Sequence, residues 1–438
     1  MNIKTYHILC CMTFSALLLS PWFCICVVAA AWLFQMLHLV LVTTRLQTPR
    51  YHGVTERFKR ECYAKSGVTI LKPLCGTGPA LYENLRTYFT LEYPVFELIF
   101  CVATDDDPAL AAVQRLQQEF PDVSTIVSVG VDNVGVNPKV CNAATGYKAA
   151  NYDLVWMTDA SIVASDAALQ DMVDQCVSGA RLVHQIPWAV SGPAVEPTVG
   201  AMSCGSILER WYFATAHGRP YMVINHAVCT CLNGMSNLFS KPHMDELGGL
   251  GRFGALLNED GEIGVTFDQH GFETALSKHV AIQNVGPIAI RDYVARRVRW
   301  MRLRNKYAKT QWLTPLEMVL DTHFTSLLCL TVLVYHHGLV AASVLALHQC
   351  AWMLVDSLVF MLLDRAVPLP KPWQGHRIDW GRVSKSQRGI YFYLLNIAEH
   401  YAMWLVREYI TLYIRIVALR NTESVVWKDQ ELPIEKSD

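Results

Sequence analysis

The sequence has no excess of charge of either sign. Lysine and arginine number 37 against 38 aspartates and glutamates, a formal net charge of −1, so no global basic field exists to draw in nucleic acid. Charged residues of any kind make up only 17% of the chain. The 14 cysteines form no CxxC pair beside a partner pair at zinc spacing, and no secreted-domain disulfide framework. They read as reduced thiols, buried or facing the cytosol. There is no Walker-type phosphate loop, no internal repeat and no low-complexity tract. What the 438 residues do have is apolar content: 52% are hydrophobic and the mean hydropathy is +0.22. The length suggests two or three domain equivalents.

That apolar content is local. Ile8 to Val42 is almost unbroken, and a spanning helix needs about 20 such residues. Ala29-Ala30-Ala31 could imitate a signal-cleavage region, but the stretch is too long for a typical signal core. Lys4 alone precedes it, whereas Arg45, Arg50, Arg57, Lys59, Arg60 and Lys65 follow. The positive-inside rule therefore predicts an uncleaved anchor, residues 1–45, with its C-terminal flank in the cytosol. Membrane texture returns at residues 313–420. Leu320 to Leu363 is long enough for two crossings, with His336-His337-Gly338 as the turn, and the loop from Asp364 to Gly389 is basic. Ile390 to Val417 either spans or lies in the interface. Residues 421–438 read as a polar tail.

Residues 46–312 read as a soluble α/β domain. Short apolar runs at Val68–Leu71, Phe96–Val102, Thr125–Val129, Leu154–Met157 and Arg181–Ile186 read as strands. Helical stretches lie between them at Pro79–Phe89, Ala109–Phe120, Pro138–Ala150 and Ala167–Cys176. This alternation predicts a parallel, doubly wound sheet, whose ligands bind beyond the carboxyl ends of the strands. Asp107 follows the second strand and Asp159 the fourth.

Several residues suit the chemistry of a bound phosphate ester. Asp107, in Asp105-Asp106-Asp107, reads either as a helix-capping acid or as a contact to a nucleoside. Asp159, in Asp159-Ala160-Ser161, suits a hard divalent cation bridging substrate phosphates. Asp260, in Asn258-Glu259-Asp260-Gly261-Glu262, can serve as a general base for an alcohol nucleophile, with Glu259 and Glu262 as competitors. Arg296, Arg299 and Trp300 lie in a cationic run from Arg291 to Lys306. Arginine forks suit phosphate oxygens, and a juxtamembrane belt on anionic lipid is the competing reading. Lys139, in Gly135-Val136-Asn137-Pro138-Lys139, can approach a nucleotide. His184 could fall on the same side of the fold.

Together these residues resemble the ceramide glucosyltransferase family of GT-A glycosyltransferases. The likeness runs from about Lys72 through Arg304. It is carried by Lys72-Pro73-Leu74, Asp106-Asp107-Pro108, Gly135 to Lys139, Leu182-Val183-His184, Tyr212-Phe213 with Thr215, Gly234-Met235-Ser236, Gly248-Gly249-Leu250, Glu259-Asp260 and the (Q/R)xxRW motif at Arg296 to Trp300. The family's Asp-Ser-Gly at the second acid is Asp159-Ala160-Ser161 here. The resemblance implies a GT-A catalytic domain that transfers glucose from UDP-glucose to ceramide in the bilayer, with inversion. It implies a divalent metal, Mg or Mn, at Asp159 and a multi-pass Golgi membrane location with the catalytic domain facing the cytosol. Asp107, Lys139, Asp159, His184, Arg296, Arg299 and Trp300 would hold the substrates, and Asp260 would be the base. Polar residues inside membrane segments are functional candidates, so His348, Asp356, Arg407 and Glu408 are expected at the acceptor entrance. The alternatives are a glycosyltransferase acting on a polyprenyl phosphate or polysaccharide, and an inactive membrane scaffold.

Overall fold

A computed structural model describes residues 21–47, 67–190 (except 79), 203–307, 329–331, 333, 335, 340–373 (except 369), 390–420 and 423–434 (except 428 and 429). The first half runs α1 (Pro21–Gln47), β1 (Val68–Pro73), α2 (Leu81–Phe89), β2 (Phe96–Val102), α3 (Ala109–Glu119), β3 (Thr125–Val129), α4 (Pro138–Lys148), β4 (Leu154–Thr158), β5 (Ile162–Val163), α5 (Asp166–Val177), β6 (Leu182–His184) and β7 (Pro187–Val190). Then come α6 (Cys204–Trp211), a π-helical turn (Tyr212–Ala216), α7 (Gly218–Ala227), β8 (Ser236–Ser240), α8 (Lys241–Glu246), α9 (Glu259–Gln269), β9 (Thr274–Leu276) and β10 (Ala281–Asn284). The chain ends in α10 (Ile290–Tyr307), α11 (Val340–Arg365), α12 (Ile390–Arg420), β11 (Ser424–Trp427) and β12 (Gln430–Pro433).

The central sheet has the order β3-β2-β1-β4-β8-β6-β9. Strands β3, β2, β1 and β4 are parallel, as the alternation of strands and helices requires. Both faces of this half are covered, which is why its strands read as continuous apolar runs. Ile70 and Phe100 point into one layer with Leu85, Val113 and Leu169. Their neighbours Leu71, Ile99 and Val155 point to the other, with Val140 and Phe267. The sheet is mostly parallel, as the GT-A resemblance implies, with one antiparallel strand set among the parallel ones. β8 runs antiparallel to both β4 and β6 and is inserted between them. It carries Gly234-Met235-Ser236 to the same sheet edge as Asp159, whose N–H donates to the Met235 carbonyl at 2.9 Å.

A small sheet, β5-β10-β7, receives the long apolar helices. Leu41 of α1, Met222 of α7 and Val359 of α11 share one cluster with Trp188 and Ile282. Segments Pro21–Thr44 and Ala346–Asp364 are long and apolar enough to cross a membrane. The expected first crossing of the Leu320–Leu363 region and the basic loop up to Gly389 lie almost wholly outside the described residues. No disulfide forms among the described cysteines.

Asp356, Arg407, Glu408 and His348 are placed differently from the acceptor entrance expected of them. Asp356 is fully buried. Its carboxylate accepts from Gln35 of α1 at 2.6 Å, Arg219 of α7 at 2.8 Å and Trp404 of α12 at 2.9 Å. Arg407 lies 3.5 Å away and pairs with Glu408 at 2.5 Å. His348 accepts from Trp32 at 3.1 Å. These polar groups face one another, so they lock α1, α7, α11 and α12 together. Asp356→Ala removes the carboxylate that meets the buried Arg219 and leaves Arg407 with Glu408, and a loss of about 3–5 kcal/mol is expected for removing one partner of a buried pair. Thermal unfolding in detergent checks this, and a midpoint equal to wild type would refute the locking role.

Candidate active site

A cavity of about 620 Å³ opens beyond the carboxyl ends of β1 and β4. One wall is acidic and is built by three local devices. First, β4 ends at Thr158, and the turn after it carries Asp159. Lys72 fixes this turn from below: its buried Nζ donates to Thr158 Oγ1 at 2.8 Å and to the Asp159 carbonyl at 2.7 Å. Second, Asn137 caps α4, its side-chain oxygen accepting from the Lys139 and Val140 N–H groups. Pro138 at the first turn is pre-set for that helix start. Third, α9 begins with Glu259 and Asp260.

Lys139 binds the three devices together. Its Nζ lies 2.9 Å from Asp159 Oδ1 and 3.2 Å from Glu259 Oε1, and donates to the Gly234 carbonyl at 2.5 Å. Burial alone would lower the Lys139 pKa, but Asp159, Glu259 and Asp260 outweigh it and hold the group charged. Glu259 is tied down further by Asn137 Nδ2 at 2.8 Å. Asp260 accepts from the Gly234 N–H at 2.6 Å and the Gly261 N–H at 2.8 Å. Burial, then the neighbouring Glu259 charge, push its carboxyl up to about 7, against the pull of Lys139 and the two amides. Gly234 leaves room for this crowding. A Cβ there would lie 3.2 Å from Asp260 Oδ2, 3.2 Å from Lys139 Nζ and 3.3 Å from Glu259 Oε1.

The opposite wall is cationic. The spacing of Arg296, Arg299 and Trp300 puts all three on one face of α10, and that face lines the cavity. Arg297, one position on, points back and pairs with Glu209 of α6 at 2.8 Å, its guanidinium 3.9 Å from the Trp300 ring centroid. Glu209 also faces Arg296 at 3.4 Å. Burial, then Arg296 and Arg297, lower the Arg299 pKa to about 10, which leaves it charged at neutral pH.

Asp159, Lys139, Asp260, Arg296, Arg299 and Trp300 thus converge on one cavity. Asp107 stands just behind its rim, accepting from the Gly76 N–H at 2.9 Å and the Ala109 N–H at 2.8 Å. It caps α3 and shapes the loop at Gly76, which lines the cavity. His184 is one layer further back. It is buried, and Nδ1 lies 2.5 Å from the Tyr221 hydroxyl; Tyr221 is the residue that faces the cavity.

Other lining residues were not singled out from sequence. His217 follows the π-helical turn, held neutral by burial and by Arg297 and Arg304, with its pKa lowered to about 3. Thr411 and Arg415 enter from α12, and Val425 from the β11–β12 hairpin. The hairpin occupies residues read as a polar tail, and Val425 packs with Leu257 and Ile434. Its signal in the sequence is Val425-Val426-Trp427, a short β-branched and aromatic run.

Fold and site define an α/β domain whose ligand cavity, acidic on one wall and arginine-rich on the other, sits at the carboxyl edge of a mostly parallel sheet. The chain belongs to glycosyl transferase family 21, whose family model matches residues 23–438. Ceramide glucosyltransferase 3 of Caenorhabditis elegans is 32% identical over 292 residues, covering 66% of this chain and 61% of that protein. A ceramide glucosyltransferase of Komagataella phaffii is 28% identical, covering 84% of this chain and 82% of that protein. The chain therefore matches 61% and 60% of the lengths of two nematode relatives. Among solved structures, a mannosyltransferase from Pyrobaculum calidifontis in complex with GDP-Man and Mn2+ aligns with a TM-score of 0.45 and 15% identity, over 79% of this chain and 98% of that one.

Proposed function

We propose that this chain transfers glucose from UDP-glucose to the primary hydroxyl of ceramide, inverting the sugar at C1 and releasing UDP, from the Golgi membrane with its catalytic domain in the cytosol. The observation that carries the reading is Asp260. It is a half-buried carboxylate with its pKa near neutrality, on the acidic wall facing Arg296, Arg299 and Trp300 across one cavity. The named relatives supply the choice of acceptor, and the basic flank after α1 supplies the orientation.

The reaction needs one in-line displacement. Asp260 takes the proton from the ceramide hydroxyl as its oxygen bonds to C1, and the bond from C1 to the UDP oxygen breaks. A base is most effective when its pKa lies near the working pH. That favours Asp260 over Glu259, whose charge is already held by Asn137 and Lys139. Arg296 and Arg299 stabilise the departing diphosphate, and Trp300 covers it. Asp107 positions the Gly76 loop against the nucleoside. His184 acts through Tyr221. Asp159 fits a divalent cation: its side chain is 34% exposed toward the cavity, and Mg-like ions bind through one or two carboxylates plus substrate phosphates. Among the described residues no three-ligand group gathers to hold an ion, so Asp159 and the donor phosphates would share it. When bound, Mg or Mn offsets charge on the leaving diphosphate.

Transfer from labelled UDP-glucose to ceramide in membranes expressing the chain tests this, with UDP-galactose and a polyprenyl phosphate run in parallel. Glucosylceramide as the main product is expected. Sugar on the polyprenyl phosphate alone would replace the acceptor, and no transfer to any lipid would replace the activity.

A further inference from the structure

We infer that Glu209 of α6 is a positioning residue for the donor: it sets the cavity face of the motif helix α10 against the diphosphate from behind the cavity wall. The inference rests on the donor reading above and adds a residue outside the (Q/R)xxRW motif. Glu209 is fully buried and meets α10 at two points. Both of its carboxylate oxygens lie within hydrogen-bond reach of Arg297 Nη2, at 2.8 and 3.0 Å, and one of them faces Arg296 Nη1 at 3.4 Å. Arg297 in turn holds its guanidinium 3.9 Å from the Trp300 ring centroid, and that of Arg296 lies 5.2 Å from the same ring. Two of the three residues that α10 turns to the cavity, Arg296 and Trp300, are thus set by one carboxylate, the first directly and the second through Arg297.

The helix that carries Glu209 is itself fixed. Ser203 caps it and ties it to the segment before α10, its Oγ donating to the Ile288 carbonyl at 2.7 Å and accepting from the Ile288 N–H at 2.8 Å. Successive side chains leave a helix about 100° apart, so Glu209, Arg210 and Trp211 reach three different helices. Glu209 meets α10, Arg210 pairs with Asp364 of α11 at 2.8 Å, and Trp211 Nε1 donates to the His400 carbonyl of α12 at 3.0 Å. α6 therefore holds the motif helix in place against the two long C-terminal helices, and Glu209 is the contact through which it does so.

The full chain in detergent is titrated with UDP and with uridine in the presence of Mn2+. Uridine lacks the diphosphate, so it reads the integrity of the rest of the site. Glu209→Gln keeps the side chain's size but turns an amide NH2 toward guanidinium donors, and is expected to weaken UDP about tenfold while leaving uridine within about twofold. Glu209→Asp keeps the charge and withdraws it by one methylene, and is expected to weaken UDP about threefold with uridine again within about twofold. In turnover, the KM for UDP-glucose should rise while that for ceramide stays put. If Glu209→Gln does not fold, Glu209→Asp carries the test by itself. UDP binding equal to or tighter than wild type in the variants that fold overturns the inference, since Glu209 would then do no more than compete with the diphosphate for the arginines. An equal loss of UDP and uridine overturns it as well, since Glu209 would then support the fold as a whole. A wild type that binds uridine as tightly as UDP removes the donor reading, and this inference with it.

Discussion

Asp260→Asn is expected to lower turnover roughly 10²–10⁴-fold, the usual contribution of a positioned general base, with UDP affinity changed only a few-fold. The side chain keeps its size, and one of its two backbone contacts can persist, since an amide oxygen still accepts. What disappears is a group able to take the acceptor's proton. The same residue sets the acid limb of the wild-type pH profile. A base must be deprotonated, and Asp260 is pushed up to about 7, so activity should fall as pH drops through that value. Stability moves the other way. A carboxyl whose folded pKa lies above its unfolded value stabilises the fold fully below the unfolded value, and loses that contribution as pH rises through about 7. The Asn variant should therefore gain on wild type in thermal midpoint between pH 4 and 8. Turnover measured against pH, with unfolding followed on the same samples, checks both. Retained activity in the variant would transfer the base role to Glu259 or Glu262.

Lys139→Met should be nearly as damaging, for a different reason. The ammonium is the cation shared by Asp159, Glu259 and Asp260. Without it the three carboxylates repel one another, and Asp260 loses a neighbour that pulls its pKa down. The acid limb of the profile should move to higher pH, and kcat/KM should drop on the order of 10²-fold, in keeping with the loss of one partner from a buried charge pair. Lys139→Arg keeps the charge and should hold the limb near its wild-type position. A limb that stays put in the Met variant would mean that Lys139 does not communicate with Asp260.

Much of the site was legible because it depends on short-range rules. Strands β2 and β3 have the bounds that their apolar runs suggest. Pro138 after Asn137 marks the start of α4, and therefore where Lys139 projects. Residues 296, 299 and 300 share a face by helical spacing alone. The less legible parts depend on distant pairing. Ser236-Asn237-Leu238-Phe239-Ser240 has no strong alternation, and only its partners β4 and β6 make it a central antiparallel strand. Glu209 reads as an ordinary helical acid until Arg297 is placed against it. His348 and Asp356 look like gate residues in a linear membrane segment, yet three-dimensional packing turns them inward onto Trp32, Arg219 and Trp404. Nothing local indicates which face of α12 meets the catalytic domain, so Arg415 and Thr411 emerge only with the fold.

The π-helical turn at Tyr212–Ala216 has a consequence for how this segment tolerates insertions and deletions. Such a turn is an α-helix holding one surplus residue, with the His217 N–H reaching back five positions to the Tyr212 carbonyl. Removing one residue there would restore an ordinary helix and rotate everything after it by about 100°. Two partners on α7 would then be lost together: Tyr221 facing the cavity and Arg219 facing Asp356. A substitution in this stretch is a local matter, whereas a one-codon deletion would disconnect the ligand cavity and the buried helix lock at a single stroke.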